Sequence, residues 1–220
     1  MILALAATQI EMQPFLAELA DDTGCCMTLI TGVGPVETAV RLTRFLSVNE
    51  KSVQAVLNFG IGGAYRLPVG MDQPVLLDIC LAEKEVFGDF GICLPEGMAY
   101  LDRSLTGDLD FPLDGELRRR CRQILDNLGM TCHTGVFITV TSITATLRRA
   151  EMLRERWQGL CENMEGAAVA RVCREFSIPC LEMRAVSNYV EDRNPANWRL
   201  QEACRKAART AALIIKGMSV

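Results

Sequence analysis

The sequence predicts a three-layer α/β/α fold built on a central, mostly parallel mixed sheet, and three observations predict it. Six aliphatic, β-branched runs bounded by Gly, Asn or Pro recur along the chain. Five stretches with apolar residues three and four apart fall between and after them. The chain has 220 residues, half of them hydrophobic, which is enough for one sizeable core. Strands that alternate with helices pair in parallel, because each crossover helix carries the chain back to start the next strand from the same end. The expected unit is a single domain over residues 1–220, without internal repeat or low-complexity linker.

The elements follow in order. Ile2–Ala7 is the first buried strand, and Ile10–Leu19 the first helix, with Thr8 and Glu11 at capping-box spacing. Cys26–Thr31 is the second strand. It passes through Gly32-Val33-Gly34-Pro35 into a helix over Val36–Leu46, but the third glycine of a dinucleotide fingerprint is missing, so nicotinamide binding is not expected. Val53–Phe59 is a strand whose end, Asn58-Phe59-Gly60-Ile61-Gly62-Gly63-Ala64, either brings backbone amides close to a flat ligand or makes a tight turn. Val75–Leu81 is the next strand. From Glu83 to Asp114 the rhythm breaks in a Gly-, Asp-, Pro- and aromatic-rich stretch, read as an excursion over the active site or a subunit contact. Helix Leu117–Leu128, strand Gly135–Thr141, helix Glu165–Phe176, strand Cys180–Ser187 and helix Trp198–Ile215 complete the pattern.

Composition excludes several classes of function. A net charge of -4, with Lys and Arg scattered, offers no basic stripe for nucleic acid or an anionic membrane surface. No stretch approaches the ~20 apolar residues of a membrane span, and Met1–Ala7 lacks a basic leader, so a cytoplasmic location is expected. The ten cysteines have no regular spacing and read as reduced core residues. There is no C-x-x-C pair and only one histidine, so no zinc site is expected, and any Ser-His or Cys-His pair would have to be built on His133. No metal or cofactor is implied.

Ligands in such folds gather at the carboxyl ends of strands. Glu11 there is either a cap or a catalytic carboxylate. Glu165, in Glu162-Asn163-Met164-Glu165-Gly166-Ala167-Ala168, either answers a helix dipole or faces a ligand. Asn188, closing Arg184-Ala185-Val186-Ser187-Asn188, is either a turn residue or a pocket residue.

Taken together, Asn58 to Gly63, Asn163 to Ala168 and Arg184 to Asn188 resemble, in order and separation, the nucleoside phosphorylase and nucleosidase superfamily. Ser187 to Asn194 followed by Trp198 is similar to its futalosine hydrolase branch, which releases hypoxanthine and dehypoxanthine futalosine in menaquinone synthesis. The resemblance implies an N-ribosidic hydrolase using water as co-substrate. Glu11 would be the general base and Asn188 would assist the leaving base. Glu165 would accept from the ribose hydroxyls and Met164 would pack on the sugar, with Asn163, Gly60, Ile61, Gly62 and Ile143 completing the substrate site. A carboxylate offers about four acceptor sites and no donor, which suits a cis-diol. Phosphorolytic relatives carry Gly-Asp-Pro-x-Arg where this chain has Thr8-Gln9-Ile10-Glu11, and adenine-cleaving relatives carry aspartic acid where it has Asn188. Ile61 replaces their serine, and the usual stacking phenylalanine is missing near Thr141-Ser142-Ile143-Thr144. The resemblance further implies a homodimer or higher assembly. Arg193 is a candidate for the 5′-substituent pocket. Alternatives are a methylthioadenosine/adenosylhomocysteine-type or inosine nucleosidase, a purine nucleoside phosphorylase, and a non-catalytic nucleoside-binding protein.

Overall fold

The computed structural model describes residues 1–19, 24–94 and 97–218. In chain order the elements are β1 (Ile2–Ala6), α1 (Gln9–Glu18), β2 (Cys26–Ile30), α2 (Pro35–Asn49), β3 (Ala55–Ala64) and β4 (Ile79–Phe87). There follow β5 (Ile92–Leu94), β6 (Gly97–Ala99), α3 (Arg103–Thr106), β7 (Asp110–Pro112), α4 (Gly115–Asn127) and β8 (Cys132–Thr139). The chain ends with α5 (Leu147–Trp157), β9 (Gly159–Asn163), α6 (Gly166–Glu175), β10 (Cys180–Tyr189) and α7 (Leu200–Met218).

The sheet is mixed and mostly parallel. Strands β1–β2, β1–β3, β3–β10, β4–β8 and β8–β9 pair in parallel, while β4–β10, β3–β9 and β4–β7 are antiparallel. The ten-residue β3 is the hub. One edge pairs with β10, and the other pairs first with β1 and then, at Gly63 and Ala64, with β9. The strands β3, β10, β4, β8 and β9 therefore close into a ring, so the middle layer curls instead of lying open. That curl gathers the carboxyl ends of β1, β3, β9 and β10 around one space.

Helices α1, α4 and α7 cover one face over Phe15, Phe59, Leu125, Leu181 and Ile215. Buried Ala207, Ala208, Ala211 and Ala212 let α7 lie close to the sheet and to α1. Helices α2 and α6 cover the other face over Leu42, Leu46, Phe137 and Val169.

Three sequence expectations are corrected. The strand expected at Val75–Leu81 runs from Ile79 to Phe87. Residues before it form a turn in which Asp78 accepts from the Val75 N–H and Leu77 has a positive φ of 73°. The 83–114 stretch is thus not wholly an excursion, since it contributes the end of β4, the β5–β6 hairpin and β7. Helix α5 and strand β9 were not expected at all. Six cysteines are buried as expected, but Cys25, Cys26 and Cys132 are only half-buried and Cys93 is exposed; all ten are free. Among the described residues no helix is long and apolar enough to cross a membrane.

Candidate active site

A cleft of about 320 Å³ opens where those strand ends meet. Glu11, Ile61, Gly62, Ile143, Asn163, Met164, Glu165 and Asn188 all line it.

Glu11 is both cap and wall. Thr8 starts α1 in an extended conformation, and its hydroxyl oxygen accepts from the Glu11 N–H at 3.4 Å. In return Glu11 Oε2 accepts from Thr8 N at 3.0 Å and from Thr8 Oγ1 at 2.7 Å. Its other oxygen, Oε1, accepts from Ile61 N at 3.2 Å. Three donors thus fix a carboxylate that is only 5% exposed, yet each oxygen has two lone pairs and Oε1 uses one on the protein. The capping box orients the carboxylate without exhausting it.

Glu165 stands at the N-cap position of α6, but its side chain bonds no helix amide and turns instead to Gly34 and Arg184. Its Oε1 accepts from Gly34 N at 3.1 Å, and its Oε2 lies 3.3 Å from Arg184 Nη1. Gly34 has φ 90°, a conformation that favours glycine, and gives its amide to Glu165 just before Pro35 begins α2. Burial pushes the Glu165 carboxyl above the usual range, and Arg184 and the Gly34 amide pull it back.

Arg184 is 1% exposed and ties the site together. Its Nε donates to Glu182 Oε1 at 2.9 Å, and its Nη1 donates to Ile61 O at 3.3 Å. Burial alone would lower its affinity for a proton, but Glu182, then Glu165 and Glu11, outweigh burial and hold it firmly charged. Gly60 lies behind the cleft wall, in the gap between Glu11 and this guanidinium. A Cβ there would stand 2.5 Å from Glu11 Oε1 and 2.8 Å from Arg184 Nη1.

Asn163 serves the helix more than the cleft. Its Oδ1 accepts from the Glu165 and Gly166 amides at 2.9 and 2.7 Å, and its Nδ2 donates to Glu85 Oε1 at 2.5 Å. Thr139 Oγ1 donates to Glu85 Oε2 at 2.8 Å and accepts from Ala167 N at 2.7 Å. These two side chains satisfy the first orphan amides of α6 and so fix where Glu165 sits. Glu85 itself is fully buried, and burial followed by the nearby Glu182 raises its carboxyl well above the usual range. Both carboxylates pack beneath Gly166, where a Cβ would strike them.

Asn188 Oδ1 accepts from Ser187 Oγ at 2.8 Å, and Nδ2 donates to Tyr189 O at 3.0 Å, leaving one amide hydrogen. Trp198 and Val33 also line the cleft. Arg193 does not line it, but its guanidinium stacks 4.5 Å from the Trp198 ring centre. His133 lies outside the cleft, between Asp72 at 2.9 Å and Asp78 at 3.1 Å. Among the described residues no group of three or more His, Cys, Asp or Glu could hold a metal ion.

Sequence reasoning assigned no role to Arg184, Glu182, Glu85 or Glu162. Two of them carried a visible sign: Glu182 and Arg184 are charges two apart inside an apolar strand, and charges buried there must be paired.

Comparison with known proteins agrees with this architecture. Residues 21–219 match the family model of the phosphorylase superfamily. A futalosine hydrolase of Thermus thermophilus is 36% identical over 85% of this chain and 80% of that protein. A futalosine hydrolase of Streptomyces coelicolor is 30% identical over 80% and 72%. The structure of a futalosine hydrolase mutant of Helicobacter pylori superposes with a TM-score of 0.82 at 19% identity, covering 98% of both chains. A 5′-methylthioadenosine/S-adenosylhomocysteine nucleosidase from the same organism gives 0.81 at 19% identity over 98% and 97%. The chain belongs to the phosphorylase superfamily.

Proposed function

We propose that this member of the phosphorylase superfamily hydrolyses the N-ribosidic bond of futalosine, releasing hypoxanthine and dehypoxanthine futalosine in menaquinone biosynthesis. The futalosine hydrolases of Thermus thermophilus and Streptomyces coelicolor, at 36% and 30% identity, support the substrate. One observation carries the choice of water as nucleophile: the buried Glu11 carboxylate stands in the cleft wall, fixed by Thr8 and the Ile61 amide. With Glu162 and Glu165 it gives the cleft three carboxylates, and the one guanidinium among the described lining residues, Arg184, is paired with Glu165 and Glu182. Such a wall repels phosphate.

Glu165 accepts hydrogen bonds from the ribose diol on the lone pairs that Gly34 and Arg184 leave, and the Met164 side chain adapts to the apolar face of the sugar. As the bond from C1′ to the base breaks, its electron pair leaves with the purine and positive charge grows on the sugar. Water attacks C1′ and its proton passes to Glu11. The remaining amide hydrogen of Asn188 stabilises the negative charge on the departing 6-oxopurine. Asparagine cannot deliver a full proton as an aspartic acid can, which favours a base that leaves as a stabilised anion over adenine.

The active unit is a cytoplasmic homodimer or higher homo-oligomer. Val33 at the cleft, with Val36 and Val40 beyond it on α2, are 54%, 73% and 61% exposed, an apolar rim that a neighbouring subunit would cover.

Chromatography of the bases released from futalosine, inosine and methylthioadenosine in phosphate-free buffer tests the proposal. Hypoxanthine from futalosine is the expected product, and preferential release of adenine from methylthioadenosine would replace it with an adenine nucleosidase.

A further inference from the structure

We propose that Glu182 is a positioning residue for sugar recognition: by holding Arg184 from beneath the cleft it keeps that guanidinium from closing on Glu165, and so leaves Glu165 free to accept from a ribose diol. The inference rests on the reading that Glu165 holds the diol.

The strand sets up the pair. Residues two apart in a strand project from one face, and Glu182 and Arg184 stand two apart within β10. That face is the one under α2 and α6, since Cys180 and Val186, at the same spacing, belong to the core beneath those helices. Glu182 is 2% exposed and does not line the cleft, whereas Arg184 does. A cation buried so deeply must be paired. Three carboxylates act on it, with Glu182 ahead of Glu165 and Glu11.

The geometry is unequal in the same order. Glu182 Oε1 lies 2.9 Å from both Nε and Nη2 of Arg184 and accepts from Nε. Nη1 lies 3.3 Å from Glu165 Oε2, but the hydrogen bond it makes goes to Ile61 O. Glu165 takes its one protein hydrogen bond on Oε1, from Gly34 N. Acceptor sites therefore remain on both of its oxygens. A 2′,3′-diol offers two donors and needs two such sites.

Glu182 is held in place by its surroundings. It packs with Glu85 beneath Gly166, where a Cβ would strike both carboxyl groups. Burial, followed by the charge of Glu182, raises the Glu85 carboxyl well above the usual range. Glu85 thus keeps its proton more readily, and Glu182 is the anion that answers Arg184. Without that anion Arg184 would have only Glu165 and Glu11 as partners. A buried charge deprived of its counterion is more costly than a side-chain rotation, so the guanidinium would turn onto Glu165 Oε2. The acceptor offered to the diol would then be occupied by the protein's own cation.

The test compares kcat/KM for futalosine and its 2′-deoxy counterpart on the wild type, Glu182→Gln, Glu182→Asp and Glu85→Gln. The wild type should favour the ribonucleoside by about 10- to 100-fold, the scale of one hydrogen bond to a charged group. Glu182→Gln keeps an acceptor for Nε but loses the charge, and should lower that ratio by about 10-fold. General loosening of the fold would slow both substrates alike and leave the ratio unmoved. Glu182→Asp keeps the charge one methylene back and should fall between the two, so the idea stays testable if the glutamine variant does not fold. Glu85→Gln removes a neighbouring carboxyl without removing the charge on Arg184's partner, and should keep the wild-type ratio. An equal drop there would show that packing beneath Gly166 sets the ratio, and would overturn the inference. So would a wild-type ratio in Glu182→Gln, or in Glu182→Asp should that variant alone fold. Glu165→Gln separates the two readings: if it abolishes the ribose preference while the Glu182 variants keep it, Glu165 holds the diol without help from Glu182. A wild type that does not distinguish the two sugars overturns both. If the wild type releases no base from futalosine, the functional reading fails separately, and calorimetric affinities for inosine and 2′-deoxyinosine on the same proteins supply the ratio instead.

Discussion

Replacing Glu11 by glutamine separates its two duties. The capping box survives in principle, because a glutamine oxygen placed at Oε2 can still accept from Thr8 N and Thr8 Oγ1. The amide nitrogen then falls at Oε1, where it meets the Ile61 N–H, a donor against a donor. Losing that charged acceptor costs about 1–3 kcal/mol. For a chain of this size each kcal/mol is worth about 2–4 °C in Tm. The chemical loss is of another order, since a positioned base contributes about 10²- to 10⁴-fold. Glu165, proposed to hold the diol, makes no hydrogen bond to Glu11, so KM should hold within a few-fold. Saturation kinetics followed by hypoxanthine chromatography, with calorimetric unfolding of the same sample, measure both. Thr8→Ala is the companion: it removes the hydroxyl from the box, costs about 0.5–2 kcal/mol, and leaves the Glu11 carboxylate in place. A Glu11→Gln protein that loses several degrees but keeps kcat within a few-fold of wild type would refute a catalytic role and leave Glu11 a cap.

Two further outcomes follow from other groups. Glu85 binds its proton more tightly in the folded chain than in the unfolded one. Its contribution to stability is therefore full below the usual carboxylate range and is lost as pH rises through its raised native value. Across that window wild-type stability should fall relative to Glu85→Gln by up to about 1.4 kcal/mol per pH unit, measured by urea unfolding at stepped pH; parallel curves would show that Glu85 holds no extra proton. Asn188→Asp should gain release of adenine from methylthioadenosine, because a carboxylic acid can protonate the leaving base. A variant as inert toward adenine nucleosides as wild type, by chromatography, would show that Asn188 does not set this choice.

Most of the fold was legible because its buried strands and amphipathic helices carry plain periodicity, and the exceptions have physical causes. Helix α5 buries only Ala150 and Leu153 among its arginines, too few to mark a stripe. Strand β9 is buried throughout but spells Gly-Leu-Cys-Glu-Asn, so its polar end hides the run. In β4 the charges of Glu83, Lys84 and Glu85 interrupt the apolar run, although Glu85 is fully buried. Within the site, Glu11, Met164, Glu165 and Asn188 stand at the ends of recognisable motifs. Glu162 and Glu85 acquire meaning only through partners from distant strands, which a linear pattern does not display, whereas Glu182 and Arg184 show in the sequence only as two charges inside an apolar strand. Asn163 shows the converse: it is conspicuous in its motif, yet its side chain holds the start of α6.

Hydrolysis requires that water, not phosphate, take the ribosyl group. Futalosine turnover should be measured across a titration of inorganic phosphate from none upward, with the sugar product analysed for a phosphate ester. The expected result is a rate independent of phosphate and a sugar product bearing a free anomeric hydroxyl. A rate that rises from zero with phosphate, with a 1-phosphorylated sugar as product, would contradict it.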